Sequence, residues 1–197
     1  MKDTTFLIIL FLFFNISYQC SCQESDSTRI VIHTTFGDIE AELFLEDAPI
    51  TCSNFMRYIR ICGNEGGSFY RTVTAVNQSG NRVKIEVVQG GFNTAKLDSA
   101  AIAPILLERT NLTGVLHKDG TLSMARDAPD SGSTEFFICI GDQPSLDYMG
   151  ERNPDGQGFA AFGRVTRGMD VVRKIQSAPS EGQRLTPLVE ISGISRL

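Results

Sequence analysis

No tryptophan occurs among the 197 residues, and histidine appears only twice. The 18 basic side chains are scattered against 23 acids, so the electrostatic footprint of a nucleic-acid binder is missing and no nucleic-acid partner is expected. An acidic tail is absent as well. The longest unbroken apolar run, Phe6–Phe14, is far shorter than the roughly 20 residues that span a bilayer. Cysteine is sparse, at positions 20, 22, 52, 62 and 139, and the spacing fits no zinc motif. Cys52 and Cys62, read on one helix, would be separated by about 15 Å of rise. A disulfide needs Cα atoms within about 7 Å, so that pairing is excluded. Cys52, Cys62 and Cys139 read instead as small buried apolar groups.

What is present divides the chain unevenly. Lys2 followed by Phe6–Phe14 has the form of a secretory signal, taken here as residues 1–22. The polar tract after it offers either a cleavage site or, at Cys20 or Cys22, a point of lipid attachment. Residues 23–28 read as a polar spacer and residues 29–197 as one globular domain. The protein is therefore expected outside the cytoplasm, periplasmic or secreted, touching a membrane only through such an anchor, and monomeric.

Within the domain, apolar alternation marks strands at 28–36 and 39–45 around a Phe36-Gly37-Asp38 turn. Glu46-Asp47-Ala48-Pro49 reads as a helix start with an acidic cap. Ile50, Phe55, Tyr58, Ile59 and Cys62 give that helix its apolar face, and Gly63 its end. Strands are expected at 69–76 and 83–88 with Gly90-Gly91 breaking the second, then at 120–125, 135–140, 159–165 and 189–194. A second helix is expected at 169–177, and residues 92–119 as mostly irregular. About eight short strands with two helices argue for a closed antiparallel barrel.

Six segments then carry a family resemblance. Phe69-Tyr70-Arg71-Thr72-Val73 resembles the cyclophilin segment Phe-His-Arg-Val-Ile, and Gln89-Gly90-Gly91 its Gln-Gly-Gly. Residues 120–125 resemble Gly-x-Leu-Ser-Met-Ala, and residues 133–138 resemble Gly-Ser-Gln-Phe-Phe-Ile. Residues 159–165 and 168–172 resemble the last barrel strand and the final helix, and all six occur in the family's order. Met124-Ala125-Arg126 and the extended loop before Phe159 look like the bacterial periplasmic branch.

The resemblance implies an eight-stranded antiparallel β-barrel capped by two α-helices, with a groove on its outer face. It also implies a peptidyl-prolyl cis/trans isomerase acting on proline-containing unfolded or flexible polypeptides. Such a reaction rotates an amide and breaks no bond, so it calls for no cofactor, metal or nucleophile. On this reading Arg71, Gln89 and Phe137 are catalytic, and Tyr70, Met124, Ala125, Arg126, Glu135, Leu146 and Phe159 contact the peptide. Departures from the pattern are equally specific. Tyr70 replaces a histidine, Glu135 a glutamine, and Ser145 the aromatic that strengthens the grip on cyclosporin. Glu86 stands where relatives place a pocket phenylalanine, so either the pocket loses one aromatic wall or another residue, Phe92 or Val87, fills it. A peptide-binding module or holdase with little turnover is the alternative.

Overall fold

A computed structural model describes residues 29–197, so the expected signal, spacer and lipid-bearing cysteines lie outside the described residues. The strands are β1 (Arg29–Thr34), β2 (Gly37–Leu43), β3 (Gly67–Val73), β4 (Val87–Phe92), β5 (Thr121–Met124), β6 (Glu135–Cys139), β7 (Ala160–Arg167), β8 (Ser180–Glu181) and β9 (Arg184–Arg196). Their order is β1-β2-β7-β5-β6-β4-β3-β9, and β1 pairs with β9 to close the ring. Every pairing is antiparallel, and the two-residue β8 pairs only with β9. The closed eight-stranded barrel is thus as expected, with the final strand much longer than its apolar core alone suggested.

Strand alternation divides the side chains between two apolar clusters. Ile30, Ile32, Ile39, Ala41, Phe69, Val88, Phe136, Ile138 and Phe162 belong to the core inside the barrel. A smaller cluster of Val73, Ile85, Val87, Phe137, Cys139 and Leu146 forms separately. Two helices pack on the barrel, α1 (Pro49–Cys62) and, after the single turn α2 (Thr110–Thr113), α3 (Met169–Gln176). Phe55 of α1 meets Phe92, Phe136 and Phe162 with ring centroids 5.1–5.3 Å apart. Burying one such ring stabilises by about 1.5–3 kcal/mol. Val172 and Ile175 anchor α3, both fully buried. Cys52, Cys62 and Cys139 are buried and unpaired, as their reading as small buried apolar groups expected.

Local expectations fail at two places, the head of α1 and the Gly90-Gly91 pair. Neither Glu46 nor Asp47 caps α1, whose N-cap is Ala48 with no side-chain bond. The cap comes from Glu108, which accepts from Ile50 N (3.0 Å), Thr51 N (2.7 Å) and Thr51 Oγ1 (2.7 Å). A carboxylate at this end suits both the free N–H groups and the helix dipole. Ile50, at the very start of the helix, is 41% exposed rather than part of the packed face. Secondly, Gly90-Gly91 does not break β4 but lies within it. A Cβ on Gly90 would sit 2.6 Å from Ser68 O and 2.9 Å from the Phe69 ring, so the pair allows close packing of β3 on β4.

Candidate active site

Register places the three expected catalytic residues side by side. Arg71 lies opposite Gln89 across β3 and β4, and Gln89 lies opposite Phe137 across β4 and β6. Directly opposed residues share a face, with Cα atoms about 4.5–5.5 Å apart. An irregularity between Phe69 and Arg71 lets Phe69 fill the core while both following side chains stay partly exposed. The row faces a groove of about 440 Å³ on the barrel's outer side.

Arg71 is held from two directions. Its Nη1 donates to Gln89 Oε1 at 2.8 Å, while Nε and Nη2 donate to Gln183 Oε1 at 2.9 and 2.7 Å. Guanidinium has five N–H groups, so this leaves donors available. Gln89 Nε2 in turn donates to Tyr70 Oη (2.5 Å) and to Glu135 Oε2 (3.1 Å), and Tyr70 Oη donates to the same Glu135 oxygen (2.5 Å). Burial, and then the bond to the Glu135 carboxylate and its charge, push the Tyr70 phenol well above its ordinary range. Tyr70 therefore stays a neutral donor, and the chain from Glu135 through Tyr70 and Gln89 orients the arginine.

The apolar floor is Phe137, 4% exposed, with the Phe159 ring edge-on to it at 5.3 Å. Beneath it lies the buried His117, stacked at 6.1 Å, its Nδ1 2.7 Å from Asp147 Oδ1 and its Nε2 2.9 Å from Ser123 Oγ. Leu146 and Ala125 complete the wall. Ile85 and Val87 also line the groove, whereas Phe92 is committed to the core against Phe55 and Tyr58. Glu86 turns aside, its carboxylate accepting from Ala75 N at 3.1 Å. The missing aromatic is thus replaced by two aliphatic side chains.

Two expected peptide contacts are placed differently. The Met124 side chain is buried in the main core, because alternation along β5 turns it away from the groove. Arg126 borders the groove, but its side chain is 2% exposed and already occupied. It donates to both Asp155 carboxylate oxygens at 2.8 and 2.9 Å and to Gly158 O at 2.8 Å, with its guanidinium 5.1 Å from the Phe159 ring centroid. The Arg126 bond holds the Asp155 carboxyl below its usual range. Arg126 thus fixes the loop that carries Phe159.

Sequence reasoning missed Gln183, Ile85 and Arg152. Gln183 lies 112 positions from Arg71, and no local pattern connects them. Ile85 follows a turn-rich stretch whose length hid its register. Arg152 sits in a glycine-rich loop among other charges, where one arginine does not stand out.

Comparison with known proteins shows the family and the fold. Residues 29–196 match the family described as cyclophilin type peptidyl-prolyl cis-trans isomerase/CLD. A peptidyl-prolyl cis-trans isomerase of Acinetobacter baylyi is 36% identical over 155 residues, covering 78% of this chain and 74% of its own. Peptidyl-prolyl cis-trans isomerase B of Escherichia coli is 35% identical over 148 residues, covering 75% and 83%. The fold is similar to that of a Cryptosporidium parvum cyclophilin-type isomerase crystallised in the presence of the dipeptide Ala-Pro. That likeness has a TM-score of 0.67 at 19% identity and covers 86% of this chain and 98% of the other.

Proposed function

The chain belongs to the cyclophilin-type peptidyl-prolyl cis-trans isomerases, and from that premise we propose that it turns X-Pro bonds of extracytoplasmic proteins in the groove built on Arg71, Gln89 and Phe137. Rotation about an amide must cross about 18–20 kcal/mol, because resonance gives the C–N bond partial double-bond character. Twisting the bond frees the prolyl nitrogen lone pair. Arg71 donates a hydrogen bond to that nitrogen, an interaction absent from either planar isomer, so it lowers the barrier rather than merely tightening binding. Phe137, Leu146, Phe159, Val87 and Ile85 take the pyrrolidine ring. The Ala125 N–H already donates to Glu135 O at 2.9 Å, so its carbonyl is the group that meets the peptide backbone.

The observation that carries this reading is the unbroken row Arg71–Gln89–Phe137 across three neighbouring strands. A short proline peptide followed by two-dimensional exchange NMR tests it. Wild type should accelerate exchange, and Arg71→Ala should lose about 100-fold or more, on the order of 3 kcal/mol of barrier. An Arg71→Ala variant as fast as wild type would reject the assignment, leaving a site that binds peptides by other means.

The extracytoplasmic setting rests on the leader-like residues 1–22, and a bacterial periplasmic affinity on Met124-Ala125-Arg126. Mass spectrometry of the mature N-terminus separates free secretion, which leaves an unmodified new terminus, from a lipid-bearing Cys20 or Cys22. A terminus still at Met1 would overturn both.

A further inference from the structure

Arg152 lines the same groove as Arg71, yet it has no part in the arginine network described above. Two loops meet to place it. In the connection after β3, the buried Gln78 donates to Thr74 O and Ile85 O, both at 2.7 Å, and so ties that loop to itself. From the loop after β6, Arg152 Nη1 donates to Gln78 Oε1 at 3.1 Å and to Val83 O at 2.8 Å. Both acceptors are neutral. Its neighbour Glu151 pairs with Arg82 instead, and among the described residues no carboxylate forms an ion pair with Arg152.

Of the groove's other guanidiniums, only Arg126 has a carboxylate partner, and Arg71, like Arg152, is held by neutral acceptors. Burial first, and the charge of Arg71 second, depress the proton affinity of Arg152. Two like charges therefore share one partly dehydrated cleft, an arrangement that an incoming anion relieves. The groove's own carboxylates are Glu135, which is engaged by Tyr70 and Gln89, and Asp127, which follows β5.

We propose that Arg152 is a specificity-determining residue that selects clients with an aspartate or glutamate flanking the proline, on the side of the pocket where Ile85 lies. The fork of N–H donors left on Arg152 matches a carboxylate. This inference rests on the groove being the isomerase site. It adds that the groove reads charge as well as proline.

The test uses peptides that differ only in Glu, Gln or Lys at the residue before or after proline, with exchange NMR as the readout because it needs no coupling protease. Wild type should favour Glu over Gln at one of the two positions by about three- to tenfold in kcat/KM, carried by KM, the range of a partly exposed charge-assisted pair. Lys should fall below Gln there, and added salt should shrink the preference. In Arg152→Gln the Glu/Gln ratio should fall to about one, while Arg152→Lys should keep part of it. Because each ratio is taken within one variant, a general loss of turnover cancels. Equal Glu and Gln rates in wild type, or a preference that survives Arg152→Gln, would overturn the inference. The same ratio read as peptide affinity by NMR titration decides it even if turnover fails, whereas turnover failing on every peptide strikes the isomerase site alone.

Discussion

A single oxygen, Gln183 Oε1, accepts from both Nε and Nη2 of Arg71, 112 positions away in the chain. Gln183 is itself steadied by donating to Asn77 O at 3.2 Å, and Asn77 donates to Gly182 O at 3.1 Å. The arginine is thus gripped by groups from β4 and from the turn between β8 and β9 before any peptide arrives.

Gln183→Ala should therefore lower kcat about three- to tenfold with KM little changed, roughly one hydrogen bond's worth of orientation. Steady-state kinetics on a neutral proline peptide reads the split. A rise in KM alone would show Gln183 acting in binding instead.

Cyclosporin should bind weakly. Ser145, part of the short turn Pro144–Leu146, offers a hydroxyl where relatives offer an aromatic, and it does not line the groove. A submicromolar inhibition constant would contradict this.

Glu108→Ala should cost about 1–3 kcal/mol of stability, since it leaves the Ile50 and Thr51 amides without their acceptor. Urea unfolding would show a lower midpoint at unchanged m-value, with kcat of the folded fraction preserved.

Cys52, Cys62 and Cys139 should resist alkylation in the native protein at pH 8. Burial, then the charge of Glu108, pushes the Cys52 thiol up to about 12, and burial likewise raises Cys62 and Cys139. A raised folded pKa means that the unfolded chain releases protons first. The stability contribution is complete below the ordinary value of 9.0 and is lost as pH rises from there towards 12. Melting temperature against pH, together with mass-detected alkylation, checks both statements. Fast labelling of Cys52 at pH 8 would contradict them.

Legibility in the sequence followed locality. The hairpin of β1 and β2 and the apolar spacing of α3 were readable because alternation and helical period are short-range signals. Arg71, Gln89 and Phe137 were legible through ordered motifs, and the register sets them side by side across β3, β4 and β6. Gly90-Gly91 misled because glycine usually weakens a strand, whereas here Phe69 and Ser68 leave no room for a side chain. The pairing of Arg126 with Asp155 was not legible, since Asp155 follows it by 29 positions and no local pattern links the two. Ile85 lines the groove beside Val87, and its carbonyl is held by the buried Gln78, a contact that no local sequence pattern announces.

Glu108 also ties two stretches of chain that must find each other in time. The head of α1 can be completed only once the long crossover between β4 and β5 has docked, because the acceptor arrives from that crossover. In hydrogen–deuterium exchange, the Ile50 and Thr51 amides then report on the crossover rather than on their own helix. They should open together with residues around 108, and more readily than the turns of α1 whose bonds are internal.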